Sequence, residues 1–152
     1  MVDSEQYENF TNNSVHLIRN MVDHGIETKE ERIRNNKLPE GLIKIHFILK
    51  EKSFQIIFED DGQGINTQMV KNKIIEKRLA TEKELSQFSE KEIFSFLFTP
   101  GFSTKTQVTD LSGRGVGLDS VKNEIDSLGG DIEIESQPGK GSKFVIELPL
   151  FK

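Results

Sequence analysis

The sequence predicts one domain of mixed α and β structure, in which helices accompany β-hairpins. Two pairs of segments alternate apolar and polar residues, which predicts hairpins near residues 43–59 and 132–148. Other segments carry apolar residues at three- and four-residue spacing, which is the period of a helix. With 152 residues, the chain is long enough to form one hydrophobic core.

The composition narrows the class of protein. Hydrophobic residues make up 34% of the chain and charged residues 30%, and eleven phenylalanines supply much of the apolar volume. The net charge of −5 argues against nucleic acid or an anionic membrane as a partner. Because the chain has no cysteine, a disulfide framework and a thiolate metal site are excluded. Neither a membrane-spanning run nor a signal-peptide pattern occurs, so we expect a cytoplasmic domain without membrane insertion.

The first clear helical pattern covers residues 14–24, and Gly25 is expected to end that helix. Its predicted apolar side consists of Val15, Ile18 and Val22, with Leu17 and Met21 beside them. Polar residues recur at three- and four-residue steps on the opposite face, namely His16, Asn20, Asp23, His24 and Glu27. The polar residues 1–13 are expected to form a linker or domain boundary, which leaves residues 14–152 as the domain.

The remaining elements follow from turn, capping and alternation signals. A capping box at Thr28 predicts a short helix through about residue 35, and strands are expected at residues 43–50 and 54–59. A helix over residues 67–78 places Val70, Ile74 and Ile75 inward, and further capping boxes begin at residues 81 and 89. Residues 99–113 form a long irregular connection, a kind that is usually functional or mobile. A helix over residues 118–128 and the closing hairpin complete the domain.

A glycine-rich loop precedes that last helix. Glycine occupies every second position at Gly113, Gly115 and Gly117, and Leu118 begins the apolar stripe of the helix. Glycine lets a ligand approach the backbone, and the first N–H groups of a helix are able to bind an anion. The loop therefore suits a phosphate chain, although an ordinary helix-capping loop has the same pattern. Its spacing differs from the dinucleotide fingerprint and from the Walker loop, so both of those nucleotide folds are disfavoured.

A second candidate site lies at the end of the second strand, where Asp60 and Asp61 are followed by Gly62 and Gly64. One carboxylate there is able to accept a hydrogen bond from the amino group of adenine, while the glycines let the base lie against backbone. Guanine presents a carbonyl oxygen at that position, and such a mismatch discriminates by roughly 10⁴ or more. The alternative is an Asp-Gly turn that only closes a strand.

Two further features suit a nucleotide. His16 and Asn20 lie one turn apart on the polar face of the first helix, and imidazole and amide oxygen are acceptable ligands of Mg²⁺. Lys105 follows the turn at residues 100–104 and is able to place an ammonium group on a terminal phosphate. In isolation, each feature is also typical of an ordinary polar surface.

Four segments, in this order and spacing, resemble the ATP-binding catalytic domain of the CheA family of chemotaxis histidine kinases. They are residues 16–27 (HLIRNMVDHGIE), 60–64 (DDGQG), 98–104 (FTPGFST) and 112–119 (SGRGVGLD). They correspond to the N box, first glycine box, lid and second glycine box of the GHKL superfamily, which also includes gyrase, MutL and heat-shock chaperone ATPases. The resemblance runs from about Val15 to Leu150. It implies the Bergerat fold, an α/β (α+β) sandwich whose mixed, mostly antiparallel sheet carries helices on one face.

The resemblance also implies roles for individual residues, with ATP and Mg²⁺ as cofactors. Asp60 would read the adenine amino group, with Gly62 and Gly64 near the base and the Ser142 hydroxyl in support. The implied catalytic residues are His16 and Asn20, which would hold Mg²⁺, and Lys105 from the lid. The residues implied at the phosphates are Asp23, His24, Ser103, Gly113, Gly115, Val116, Gly117 and Leu118, with Lys73 as a weaker candidate.

By this resemblance the chain is a protein-histidine kinase domain that transfers the γ-phosphate of ATP to a histidine on a separate phosphoacceptor domain. ATPases of the superfamily place a glutamate four residues before the box asparagine, where this chain has His16, and that favours a kinase over a hydrolase. The implied partners are the phosphoacceptor domain, a response regulator, and the dimerisation and receptor-coupling domains of a parent kinase. An ATP-dependent switch module and an ATP hydrolase are the alternatives.

Overall fold

The computed structural model describes residues 7–102 and 117–150. The helices in these ranges are α1 (Glu8–Asn20), α2 (Lys29–Arg34), α3 (Thr67–Glu76), α4 (Glu82–Leu85), α5 (Glu90–Ser95) and α6 (Leu118–Ser127). The strands are β1 (Ile43–Leu49), β2 (Ser53–Asp60), β3 (Asp131–Gln137) and β4 (Gly141–Pro149). A π-helical turn (Met21–Gly25) continues α1, and a 3₁₀ turn (Phe96–Phe98) continues α5.

The described strands form one sheet in the order β1-β2-β4-β3, and each neighbouring pair is antiparallel. Both predicted hairpins are present, and β2 joins them by pairing with β4. Phe58 stands opposite Phe144, which stands opposite Ile134, so a row of buried apolar side chains crosses three strands. The next residue on β2, Glu59, belongs to the opposite, more open face. The helices cover one face, and the expected α/β (α+β) sandwich is confirmed.

The residues that flank α1 on its two sides lie near the two ends of β2. The ring of Tyr7, just before α1, lies 5.3 Å from the ring of Phe54 near the start of β2, measured between centroids. At the other end, a Cβ placed on Gly25 would lie 3.4 Å from Oδ2 of Asp60, the last residue of β2. Helix α1 therefore carries its C-terminal residues to the end of β2 that bears the acidic pair.

The first helix begins earlier than the sequence predicts. Its first residue is Glu8 rather than Ser14, and both Tyr7 and Phe10 are buried in the core. The Tyr7 hydroxyl also donates a hydrogen bond to the carbonyl oxygen of Pro149 over 2.5 Å. The predicted start is wrong because two aromatic side chains attach this otherwise polar stretch to the sheet.

The buried side of α1 also differs from the prediction. Leu17 is completely buried and Met21 is 2% exposed, whereas Val15 and Val22 are 56% and 52% exposed. Apolar residues occupy a wide arc of this helix, so their spacing alone does not identify the centre of the arc. The upstream side chain of Phe10 lies on the same stripe as Leu17 and Met21, and all three side chains belong to the hydrophobic core.

The other helices form as their capping signals predict. Thr28, Thr81 and Ser89 each accept the N–H of the glutamate three residues later, whose side chain returns to the N-cap backbone. In α3, Val70 and Ile74 are buried as predicted. The expected inward placement of Ile75 is wrong, because this side chain is 41% exposed.

Strand β1 lies at the edge of the described sheet and is less covered than its neighbours. Phe47 and Leu49 stand opposite Ile56 and Phe54 of β2 and share their face of the sheet. Even so, Phe47 and Leu49 are 73% and 76% exposed. The core therefore lies over β2, β4 and β3, next to the site described below.

Candidate functional site

Asp60 is the last residue of β2 and is only 5% exposed. Its Oδ1 accepts the backbone N–H of Gly62 over 2.8 Å and that of Ser142 over 3.3 Å. Within the described ranges, no group donates a hydrogen bond to the other oxygen, Oδ2. The carboxylate is therefore held through one oxygen and offers the second as an acceptor.

The surroundings of Asp60 make its ionisation less favourable than that of an exposed carboxyl group. Burial raises the pKa of Asp60 above its ordinary value of 3.8, although the N–H groups of Gly62 and Ser142 act in the opposite direction. The carboxylates of Asp61 and Glu27 add to the rise in pKa. Asp60 has no cationic partner among the described residues, and such a buried carboxylate is typical of a functional group rather than of a stabilising one.

Glycines let three backbone segments meet beside Asp60. A Cβ on Gly62 would lie 2.0 Å from the carbonyl oxygen of Gly25, at the end of the π-helical turn. Gly64 has a φ of +71°, and a Cβ there would lie 2.3 Å from the carbonyl oxygen of Gln137. Both glycines are thus required by contacts within the chain itself. Their contact with a base stays a prediction.

Gln63 attaches the turn at residues 60–64 to the segments on either side. Its backbone N–H donates to the carbonyl oxygen of Gly25 over 2.8 Å, and its side-chain amide donates to that of His24 over 2.7 Å. Its own carbonyl oxygen accepts the N–H of Gly139, in the β3–β4 turn, over 2.7 Å. The first glycine box is therefore fixed between the N box and the closing hairpin.

Ser142 lies beside Asp60 and contacts it through its backbone, and the expected support of the adenine site by its hydroxyl stays a prediction. The backbone N–H of Ser142 donates to the Asp60 carboxylate, while its Oγ lies 3.1 Å from Oγ of Ser136. Ser136 Oγ also accepts the N–H of Ile65 over 2.8 Å. Ser136 is not predicted from the sequence, although the register of the hairpin, which pairs it with Ser142, was the available signal.

A buried ionic network lies behind the acidic pair, and the sequence does not predict it. Arg32 is 1% exposed and bonds Oε2 of Glu27 over 3.1 Å and Oδ2 of Asp61 over 2.8 Å. Lys37 bonds Oε1 of Glu27 over 2.7 Å. Burial raises the pKa of both carboxyls, but their side-chain and backbone hydrogen bonds and the charges of Lys37 and Arg32 together outweigh this effect, so both pKa values lie below their ordinary values. The Asp61 carboxylate is thus paired with the Arg32 cation, in contrast to the carboxylate of its neighbour Asp60.

His16 and Asn20 lie one turn apart on α1, and both are half-buried. Helix α1 packs against α6. An imidazole and an amide oxygen at this spacing fit a partial ligand set for Mg²⁺, which takes few protein ligands where phosphates are present. Over residues 7–102 and 117–150, no group of three or more His, Asp or Glu residues is arranged to hold a metal ion.

The end of the N box departs from α-helical geometry. Asp23 and His24 are exposed in the π-helical turn, in which the N–H of Ile26 donates to the carbonyl oxygen of Met21. A π turn is wider than an α turn and is frequent at functional sites. The prediction that Glu27 shares one polar face with His16 and Asn20 is therefore wrong. The Glu27 side chain instead forms ion pairs with Arg32 and Lys37.

The described part of the second glycine box is the N-terminus of α6. Gly117 is the N-cap, and no described side chain caps this helix end, so its first N–H groups suit an anion. Leu118 packs against the core. Lys73 on α3 forms an ion pair with Glu76 over 3.2 Å. The other predicted phosphate contacts lie outside the described residues and stay predictions: Ser103, Lys105, Gly113, Gly115 and Val116.

This chain is similar to chemotaxis proteins of several bacteria. It is 45% identical over 136 residues to the chemotaxis protein CheA of Bacillus subtilis (strain 168), and the matched region covers 90% of this chain and 20% of that protein. It is 44% identical over 149 residues to CheA of Borreliella burgdorferi, covering 98% and 17%. It is 48% identical over 136 residues to CheA of Listeria monocytogenes, covering 90% and 22%. The chain thus spans about a fifth of the length of these relatives.

No helix in the described part of the chain is long and apolar enough to cross a membrane. The solved Erythrobacter litoralis EL346 blue-light activated histidine kinase has the same fold, with a TM-score of 0.54 at 13% identity over 98% of this chain and 32% of that one. The family model for histidine kinase-, DNA gyrase B- and HSP90-like ATPases matches residues 12–152. The chain therefore belongs to this family of ATPases, which implies that it binds ATP.

Proposed function

We propose that this chain is the ATP-binding catalytic domain of a CheA-like histidine kinase. It transfers the γ-phosphate of ATP to a histidine on a separate phosphoacceptor domain. Support comes from the similarity to CheA proteins, at 42–48% identity over most of the chain. The structural observation that carries the proposal is the buried Asp60 carboxylate, with one oxygen held and the other open.

The open oxygen of Asp60 suits adenine. Oδ2 accepts a hydrogen bond from the exocyclic amino group of the base, because a carboxylate is an acceptor only. Guanine has a carbonyl oxygen in the corresponding position, so a buried acceptor would face a buried acceptor. Leaving both groups unpaired is costly, and we expect strong discrimination against GTP.

The polar end of α1 and the start of α6 suit the triphosphate. Asn20 and His16 would hold Mg²⁺, which would neutralise negative charge on the phosphates. The N–H groups at Gly117 and Leu118 would receive phosphate oxygens together with those of Gly113, Gly115 and Val116. In this proposal Lys73, Ser103 and Lys105 would also contact the phosphates, and Asp23 and His24 would lie near them.

Phosphoryl transfer requires positioning and charge neutralisation rather than a covalent contribution from the protein. The bond between the γ-phosphorus and the bridging oxygen breaks, ADP leaves, and a nitrogen of the acceptor histidine forms the new bond. His16 takes the place at which related ATPases have a water-activating glutamate. We therefore expect little hydrolysis in the absence of an acceptor.

The parent protein would supply what this domain does not contain. In the proposed pathway the phosphoacceptor domain donates its phosphate to a response regulator. Dimerisation and receptor-coupling domains control how often ATP and the acceptor histidine meet. The relatives are about five times as long as the chain, which leaves room for such domains.

To test phosphoryl transfer, the chain is incubated with Mg²⁺, γ-labelled ATP and the histidine-containing acceptor domain of a CheA-type kinase. We expect an acid-labile, alkali-stable label on the acceptor, which disappears when its histidine is replaced. Asn20→Ala should lower the rate about a hundredfold or more, whereas Asn12→Ala, at an exposed position two turns earlier on the same helix, should not. ATP binding without transfer to any acceptor, or steady release of phosphate without one, would contradict the proposal.

A further inference from the structure

One peptide group of the first glycine box is held from both sides. It is the peptide that joins Asp61 to Gly62. Its N–H donates to Oδ1 of Asp60 over 2.8 Å. Its carbonyl oxygen, on Asp61, accepts hydrogen bonds from Nη1 of Arg32 over 3.3 Å and from Nζ of Lys37 over 2.8 Å. Two cations therefore lie on the carbonyl end of the peptide that orients the Asp60 carboxylate.

This peptide needs such a restraint because of its sequence. A peptide group that precedes glycine rotates between two orientations at little steric cost, since glycine accepts φ of either sign. Rotation would exchange the N–H and the carbonyl oxygen. The Asp61 oxygen would then face the Asp60 carboxylate, and Oδ1 would lose its 2.8 Å donor. Nothing in the Asp-Gly sequence itself selects the observed orientation.

Arg32 is built into the fold so that it cannot turn away. Its Nε donates to the carbonyl oxygen of Leu38 over 2.8 Å, and its Nη2 donates to that of Glu40 over 3.1 Å. The other contacts of its guanidinium are the Asp61 carboxylate and carbonyl oxygen and the Glu27 carboxylate. All five N–H donors of the guanidinium are thus accounted for.

The N–H donors of Lys37 are likewise all engaged in hydrogen bonds. Its ammonium group donates to Oε1 of Glu27 over 2.7 Å, to the carbonyl oxygen of Asp61 over 2.8 Å and to that of Gly62 over 2.7 Å. These contacts use its three donors. Lys37 therefore fixes two successive carbonyl groups of the turn, and its side chain is 16% exposed.

We propose that Arg32 and Lys37 are positioning residues for recognition of the base. They fix the peptide between Asp61 and Gly62 in the orientation that keeps Oδ1 of Asp60 occupied by an N–H, so that only Oδ2 faces the base. They also polarise this peptide, and a cation on its carbonyl oxygen makes the N–H a stronger donor. Neither residue touches the base. The inference rests on the proposed role of Asp60 in binding ATP.

The test compares binding of ATP and GTP in folded variants. Lys37→Met keeps the aliphatic stem but removes the cation, and Arg32→Lys keeps a charge but removes the fork of donors. We expect the preference for ATP over GTP to fall about tenfold, the equivalent of one hydrogen bond of about 1.4 kcal/mol. Lys50→Met is the control, because it breaks an exposed ion pair with Glu147 at the other end of the β1–β2 hairpin.

A second measurement separates positioning from general loosening of the structure. The amide proton of Gly62 in wild-type protein should resonate downfield and exchange slowly with solvent. In Lys37→Met it should move upfield, and Lys37→Arg should restore part of the shift and of the ATP preference. Loss of stability alone would leave the ratio of the two affinities unchanged in the folded protein.

The outcomes distinguish this inference from the function on which it rests. If wild type does not prefer ATP, or Asp60→Asn keeps that preference, the proposed function fails. If both behave as proposed while folded Lys37→Met and Arg32→Lys keep the full preference and the Gly62 resonance, only the positioning role is overturned. If neither variant folds, rapid exchange of the wild-type Gly62 amide overturns it, and slow exchange with a downfield resonance supports it.

Discussion

The backbone N–H of Ser142, at the start of β4, donates to the Asp60 carboxylate at the end of β2 over 3.3 Å. These strands pair with each other in the sheet, with Glu59 and Lys143 opposite one another just before the contact. The orientation of the Asp60 side chain is therefore set by sheet geometry as well as by the glycine box. A binding group supported by a strand keeps its position better than one supported by a loop alone.

Replacing Gly141 should damage this contact. Gly141 has a φ of +114°, and a Cβ there would lie 1.9 Å from the carbonyl oxygen of Asp60. We expect Gly141→Ala to reduce the free energy of unfolding by about 3 kcal/mol or more, and to weaken ATP binding. Gly139→Ala is the matched control in the same turn, because its φ is +77° but its Cβ would meet no atom within 4 Å.

Urea unfolding of the two variants measures the difference. The control should lose only about 1–2 kcal/mol from its positive φ, and it should bind ATP as wild type does. Equal losses in both variants would show that the close approach of β4 to Asp60 has no importance of its own.

The Phe10 side chain tests the corrected position of the first helix. Phe10 is 4% exposed, so Phe10→Ala should cost about 3–5 kcal/mol of unfolding free energy. Val15→Ala, on the same helix at 56% exposure, should cost less than about 0.5 kcal/mol. Chemical denaturation provides both values. A larger loss of unfolding free energy in Val15→Ala than in Phe10→Ala would instead support the buried side that helical spacing alone predicts.

The ionic network predicts a loss of stability in acid. The pKa values of Asp61 and Glu27 are lowered in the folded chain, so the unfolded chain binds more protons and stability rises with pH. This contribution is present above their ordinary values of 3.8 and 4.5 and is lost as the pH falls through the lower, folded values. Urea unfolding from pH 7 to pH 3 should show a smaller acid loss in Asp61→Asn than in wild type. An identical pH profile would contradict the network.

Short-range signals account for most of the predicted secondary structure. The capping boxes at Thr28, Thr81 and Ser89 each fix a helix start through contacts only three residues apart. The hairpins likewise depend on alternation and on short turns. Such interactions are local, so the sequence contains all the information that they need.

The ionic network was not predictable in this way. Arg32 and Lys37 occur in a polar stretch that is typical of a solvated surface. Arg32 is buried because carbonyl groups at residues 38, 40 and 61 converge on it from separate segments. The same limit applies to α1, where tertiary packing on Phe10 and Leu17, rather than periodicity, determines which side is buried.

The sequence motifs identified the acidic pair, Asp60 and Asp61, but not the different roles of the two carboxylates. From the sequence, either carboxylate at the strand end is a candidate, and the resemblance alone selects Asp60. The structure separates them by their partners: the Arg32 guanidinium binds the Asp61 carboxylate, whereas only backbone N–H groups bind the Asp60 carboxylate. Asp60 is the last residue of β2 and Asp61 follows it, and adjacent residues of an extended chain face opposite sides.

Binding of adenosine should depend on pH through Asp60. The acceptor for the amino group is the carboxylate, and burial raises the pKa of Asp60 above 3.8. Affinity should therefore be full above the folded pKa and fall as the pH drops through it. Adenosine, which carries no phosphate, is followed by chemical-shift changes on titration. Asp60→Asn should bind adenosine weakly at every pH, and a wild-type affinity that is unchanged down to pH 4 would contradict the assignment.

The base preference of Asp60→Asn tests the central claim most directly. An asparagine keeps an oxygen for the N–H groups of Gly62 and Ser142 and places an amide N–H where Oδ2 was, which suits the guanine carbonyl. With ATP and Mg²⁺ at 100 times the dissociation constant of ATP, wild type should gain about 2.7 kcal/mol, or roughly 5–10 °C in melting temperature, and nothing comparable from GTP at the same concentration. The variant should lose the ATP shift and gain one with GTP. Equal shifts with both nucleotides in wild type, or an unchanged ATP shift in the variant, would contradict the account.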